Sequence, residues 1–182
     1  MWEKIPTTRL WYNKNMNWEL ISDIILISAI AMLGFFGCLA LYQWIKRKSF
    51  TKIDLELRWA LAPVVLMAIT YFIFDKIFIL NTRPDGSGEP SFPSSHVMCV
   101  ATVFALVAIV LPRYIKSTAT VIFLDCLMLA LTILVAFGRV LANQHWISDV
   151  IGALAFSAIF IAIYLFIIKK LIKPKTKGAQ HA

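Results

Sequence analysis

Five long apolar runs constrain this chain more than any other feature: Ile24 to Ile45, Trp59 to Leu80, Ser95 to Leu111, Thr118 to Phe137 and Val150 to Ile168. A helix needs about 20 apolar residues to cross a bilayer, and each run approaches or exceeds that length. The Ser95 run is the shortest, and it borrows a turn from Pro93-Ser94 before it or Pro112-Arg113 after it. Hydrophobic residues make up 60% of the 182 and charged residues only 15%, which is too apolar for a soluble domain. The expected fold is therefore all-α, a polytopic membrane bundle of five helices over residues 21–172. An interfacial segment, 1–20, precedes it, and a basic tail, 173–182, comes after it.

The net charge of +8 raises the question of nucleic acid, and the placement of the charges answers against it. Of the 18 Lys and Arg, twelve lie in Lys46 to Arg58, in Arg113 to Lys116 and from Lys169 onward. A five-helix bundle puts all twelve on one side, which the positive-inside rule makes cytoplasmic. The N-terminus and the loop around Arg83 then face outward, and the C-terminus faces inward, in a cell membrane. The first segment carries three tryptophans and a tyrosine among charges, as suits the headgroup level. The first apolar run is expected to remain as a helix, since it is long and no small-x-small cleavage pattern comes after it. Cys38, Cys99 and Cys126 all lie within apolar runs and read as small buried hydrophobes rather than as a disulfide or metal set.

Chemistry concentrates between Lys76 and His96, KIFILNTRPDGSGEPSFPSSH. If the second helix persists from Lys76 to Arg83, the two cations differ by about 20° in azimuth and lie about 10 Å apart. Ser94 and Ser95 open the third helix, whose free N–H groups attract anions. The fourth helix ends in GRVLANQHWISDV, which brings Arg139, His145 and Asp149 to the same membrane face. His145 and Asp149 are four apart, so the carboxylate can hold an imidazole N–H. Asp125, inside the fourth run, is read as a protonated carboxyl hydrogen-bonded between helices, with transport or proton relay as the alternative.

Topology thus gathers Lys76, Arg83, Ser94, Ser95, His96, Arg139, His145 and Asp149 on one face. Three cations and a helix N-terminus can neutralise a phosphate and stabilise the equatorial oxygens of a phosphoryl-transfer transition state. A histidine held by a carboxylate can be the neutral nucleophile, and a second histidine can protonate the departing oxygen. Asp149 gives His145 the first role and leaves His96 the second.

The motifs K-x6-R-P at Lys76 to Pro84, P-S-S-H at Pro93 to His96 and R-x5-H-x3-D at Arg139 to Asp149 resemble the three signatures of the type 2 phosphatidic acid phosphatase superfamily. The resemblance covers roughly residues 55 to 170. It implies a helical-bundle hydrolase that needs no metal or other cofactor, with a phosphohistidine at His145 and His96 as general acid. It further implies that Lys76, Arg83, Ser94, the Ser95 backbone and Arg139 hold the phosphate. Two positions depart from the family pattern: Ser95 stands where glycine is usual, and Gly138 where serine is usual. Ser95 keeps the backbone N–H and Gly138 removes a hydroxyl, so the departures bear on rate or substrate range rather than on the catalytic groups.

The expected partners are membrane lipids and a lipid phosphate or diphosphate substrate, an isoprenyl diphosphate such as undecaprenyl diphosphate first. Phosphatidate, phosphatidylglycerol phosphate or lipid A rank next, and the acceptor, water or another lipid, stays open, as does the oligomeric state. Three other classes compete. A metal hydrolase could use His96, His145 and Asp149 as ligands, but adjacent cations oppose a divalent ion. An anion transporter would spread its cations along a path rather than at one face. A silent relative would bind lipid phosphates without hydrolysing them.

Overall fold

The structure, a computed structural model, describes residues 17–172. Most of the expected interfacial segment and the whole basic tail lie outside the described residues. Helix α1 spans Trp18–Arg47 and starts six residues before the expected Ile24, because Asn17 caps it, its Oδ1 accepting the Leu20 N–H at 3.0 Å. A short α2 (Leu55–Trp59) leads into α3 (Leu61–Phe72), with a break at Ala60. Pro63 explains the break: it has no N–H to give to the Trp59 carbonyl four residues back. The chain continues through a π-helical turn, Ile73–Ile77. Then come α4 (Ser95–Val110), α5 (Thr118–Leu141) and α6 (Ile147–Ile172).

Among the described residues, five segments are long and apolar enough to cross a membrane: Trp18–Arg47, Leu55–Ile77, Ser95–Arg113, Thr118–Leu141 and Ile147–Ile172. The expected all-α polytopic bundle is thus the fold. Helix α4 is its axis, half-buried where the other spans are at most 28% buried, and it packs against α1, α3, α5 and α6. Its Val97, Val100, Val103 and Val107 form the core with Ala29, Met128, Val135 and Ala153. The outer surface is the reverse of a soluble protein's, for Phe35, Phe123, Phe137 and Phe166 are all more than 60% exposed. Inside, Thr102 donates to Ser157 at 3.1 Å, tying α4 to α6.

One end of the bundle is fastened by Asp54, which receives Arg47 at 3.0 Å, Arg113 at 3.3 Å, Gln43 at 2.8 Å and Tyr114 at 2.9 Å. Partial burial opposes that carboxylate's charge, but these donors still push its pKa down to about 2. The opposite end carries the candidate site.

Three expectations require correction. The second helix does not persist to Leu80: it ends at Ile77, and Phe78 to Leu80 are not helical. Cys38 and Cys126 are exposed on the apolar surface rather than buried, and Cys99 is half-buried. Asp125 makes no interhelical hydrogen bond, and its Oδ1 is buried without a partner in an apolar groove between α4, α5 and α6.

Candidate active site

The site is built where the α3–α4 loop, the α5–α6 connection and the first turn of α4 meet. Ser94 precedes α4, is wholly buried, and leaves its Oγ out of any capping bond. Its backbone N–H donates to the Asp149 carbonyl at 3.2 Å. The N–H groups of the first α4 turn, beginning at Ser95, have no helical acceptor and remain available to an anion. The loop is a compact turn closed by the Thr82–Pro90 bridge and by Arg83 N–H donating to Glu89 O at 2.9 Å. Gly86 (φ 85°) and Gly88 (φ 77°) supply the left-handed backbone that its tip needs.

Asp149 joins these pieces. Buried at the start of α6, its Oδ2 accepts the Trp146 N–H at 2.9 Å and its Oδ1 accepts the Asn81 amide at 2.9 Å. Trp146 Nε1 in turn donates to the Thr82 carbonyl at 2.8 Å, so both connections are clamped together. Asp149 lies 3.7 Å from His145 Nδ1, too far for a hydrogen bond. The imidazole is held instead by the Ser91 carbonyl, 2.8 Å from Nδ1.

That bond settles the tautomer. A carbonyl only accepts, so Nδ1 carries the proton and Nε2 keeps its lone pair. Nε2 is buried and has no partner. Burial and the positive charges of Arg139 and Arg83 hold the His145 pKa down to about 4, against the Ser91 carbonyl and Asp149. A neutral, unprotonated Nε2 facing a cavity is the form a nucleophile requires.

The cavity itself is small, about 40 Å³, and Arg83, Ser95, His145, Asp75 and Ser91 are among its lining residues. Arg83 Nη1 meets Glu89 at 3.0 Å and Gln144 at 2.9 Å. Arg139, only 3% exposed, has no ion pair among the described residues. His96 donates Nε2–H to Asp23 Oδ1 on α1 at 2.9 Å, and its Nδ1 is buried without a partner.

Ser94, His96 and Arg139 do not line the cavity, and neither does Lys76. Its side chain is 66% exposed and pairs with Asp75 at 2.7 Å, while Asp75 rather than Lys76 lines the cavity. The physical reason is the π-helical turn: one extra residue in the turn rotates the downstream residues by about 100°, and the helix then stops, so the stripe shared with Arg83 does not form.

Buried polar atoms normally have partners, and here the exceptions cluster. Arg83 Nε, Ser91 Oγ, Ser94 Oγ, His96 Nδ1, Arg139 Nε and His145 Nε2 lack one, and all six belong to this end of the molecule. Among the described residues only Trp59 Nε1 and Asp125 Oδ1 share that condition elsewhere. Unpaired donors and a buried guanidinium with no ion pair among the described residues suit a bound oxyanion. Among the described residues, no cluster of three or more His, Cys, Asp or Glu is disposed to hold a metal ion.

Four contributors escape the sequence reading. Asp23 carries a signal, an ionisable residue at the edge of an apolar run, but the expected first helix begins just after it. Asn81 and Gln144 look like ordinary loop amides. The Ser91 contribution is a main-chain carbonyl, which no side-chain motif records.

Bundle and site together define a polytopic membrane protein with two histidines and two arginines gathered at one end. The family model described as the PAP2 superfamily matches residues 72–173, more than half of the chain. The chain belongs to that superfamily, and its fold is that of a membrane phosphatase. No curated protein and no solved structure matches it.

Proposed function

We propose that the protein hydrolyses the phosphomonoester or diphosphate of a lipid through a phosphohistidine at His145. The observation that carries this reading is that the unprotonated, partnerless His145 Nε2 shares one end of the bundle with five other buried polar atoms that lack partners. In the first step Nε2 attacks phosphorus, the bond to the leaving oxygen breaks, and His96 gives that oxygen its proton. In the second step water attacks the phosphohistidine, His96 takes the water's proton, and inorganic phosphate leaves. Arg83, Arg139, Ser94 and the Ser95 N–H hold the equatorial oxygens, and Lys76 joins from the rim by exchanging Asp75 for phosphate. Asp149 acts on His145 chiefly by fixing the connection that carries it. No metal ion has a part in either step.

The surroundings of the site favour a lipid substrate. The segments Asn81 to Pro93 and Gly138 to Ser148 are short and build no closed chamber for an elaborate headgroup. About 9 Å below the first turn of α4, six residues on, an apolar groove of about 540 Å³ opens between α4, α5 and α6. It is lined by Ala101, Ala105 and Ala108 on α4 and by Ala158 and Ala162 on α6. A hydrocarbon chain that leaves water for the groove gains about 0.8 kcal/mol per methylene. An isoprenyl diphosphate such as undecaprenyl diphosphate stands first, and phosphatidate, phosphatidylglycerol phosphate and lipid A rank next. The asymmetry of basic residues supports a site on the extracytoplasmic face of the cell membrane, with the C-terminus cytoplasmic.

The test is phosphate release by the purified protein from a panel of lipid mono- and diphosphates in one detergent. Release that persists in EDTA and exceeds that from glucose 6-phosphate is expected. Binding without release from every lipid would make the protein a silent binder.

A further inference from the structure

We infer that Asp23, on α1, is a positioning residue for the acid histidine, fixing the His96 ring so that Nδ1 faces the reacting phosphate. The inference rests on the proposed role of His96 as general acid. An ionised carboxylate only accepts, so the 2.9 Å contact fixes the proton of His96 on Nε2 and leaves Nδ1 as the atom free to act. Nδ1 is also the atom that is buried and partnerless, on the side of the ring away from Asp23. The Asp23 side chain is 46% exposed and that of His96 only 19%, so the carboxylate anchors the ring from the rim while the ring reaches inward. The other charged groups bearing on His96 are Arg139 of α5 and Arg83 of the loop. Asp23 is thus the anion acting on a ring that must be protonated beside two cations and an incoming phosphate.

Helix α1 lies outside the matched residues 72–173, and a close approach to α5 brings it to the site. A Cβ at Gly138 would stand 2.9 Å from Ser22 Oγ, and Ser22, next to Asp23, is wholly buried with its hydroxyl on the Trp18 carbonyl at 2.8 Å. The bare glycine lets α1 settle where Asp23 meets His96. This gives the departure at Gly138 a structural role: it admits the helix that carries the histidine's partner.

The experiment compares dodecyl phosphate with p-nitrophenyl phosphate, using full-length wild type, Asp23→Asn and Asp23→Glu in one detergent. Protonation of the leaving oxygen matters for the alkyl ester and little for nitrophenolate. Asp23→Asn should lose about 10- to 100-fold in kcat on dodecyl phosphate, below the full 10²–10⁴-fold range of acid catalysis, and under about threefold on p-nitrophenyl phosphate. KM should move little, and Asp23→Glu should recover part of the loss. In a His96→Ala background, Asp23→Asn should cost nothing more on p-nitrophenyl phosphate. The ratio of the two rates in one preparation is independent of the folded fraction. An unchanged ratio, or an additive loss in the His96→Ala background, would overturn the inference. If wild type releases phosphate from no lipid, or His145→Ala stays active, the proposed function fails instead.

Discussion

His145 owes its tautomer to a main-chain carbonyl, with Asp149 supplying the frame, and this has consequences at single residues. A pKa held to about 4 means that His145 gains its proton only as pH falls through that value, so the acid limb of kcat/KM, which reports free enzyme, should lie near pH 4. Unfolded histidine titrates near 6.5, so the folded chain binds fewer protons between about 6.5 and 4, and acid weakens the fold across that window. A limb at pH 6 to 7 in a pH–kcat/KM profile would contradict the buried neutral imidazole. His145→Ala should abolish turnover of every substrate, whereas His96→Ala should lose about 10²-fold or more on an alkyl phosphate and much less on p-nitrophenyl phosphate. The cations should divide as well. Arg139→Ala removes a buried guanidinium with no ion pair among the described residues, and about 10²-fold in kcat/KM is expected. Lys76→Ala removes an exposed, already paired ammonium, and a loss below about tenfold, mainly in KM, is expected. Steady-state kinetics on both variants checks the order. At this scale the motif residues were legible because the proposed chemistry draws on their side chains. Their holders were less so: Ser91 acts through its backbone, and Asp23 lies in a helix that begins earlier than its apolar run.

Among the elements, α6 and the α3–α4 loop are coupled through one glycine. A Cβ on Gly152 would fall 2.3 Å from the Phe92 ring, which Phe74 and Phe156 hold edge-on at centroid distances of 5.3 and 6.4 Å. The ring has little room to retreat, so Gly152→Ala should push the loop away and carry with it the Ser91 carbonyl that fixes His145. Activity should fall at least tenfold, in proportion to the disturbed geometry of the nucleophile. The double variant Gly152→Ala, Phe92→Leu should recover part of it, and kinetics on the pair against each single variant checks the coupling. The helices themselves were readable from hydropathy because lipid imposes length and apolarity on any span. Their ends were not, since those depend on local devices: the Asn17 cap, the missing N–H of Pro63, and the π-helical turn that separates Lys76 from Arg83.

For the whole molecule, the basic residues gathered at one end and the site at the other lead to a sidedness test. In a background lacking Cys38, Cys99 and Cys126, a cysteine at exposed Ser87 should react with an impermeant maleimide in intact cells, and one at exposed Thr51 should not. The reverse pattern would put the site in the cytoplasm. The groove leads to the last prediction. Its alanines leave about 540 Å³ open between α4, α5 and α6, further along the helices whose site ends carry Arg139 and Asp149. A long chain attached to a phosphate in the site can descend into it, whereas a short one ends above Ala101. Ala158 faces outward and tolerates bulk, so Ala158→Phe should fill the groove without unfolding the bundle. The variant should lose about tenfold in kcat/KM on a long isoprenyl diphosphate, the equivalent of about two methylenes at 0.8 kcal/mol each. Dimethylallyl diphosphate should be turned over as before, since its chain does not reach the substitution. Equal rates for wild type and Ala158→Phe along the whole chain-length series would mean that the tail lies in bulk lipid and that the groove has no part in substrate binding.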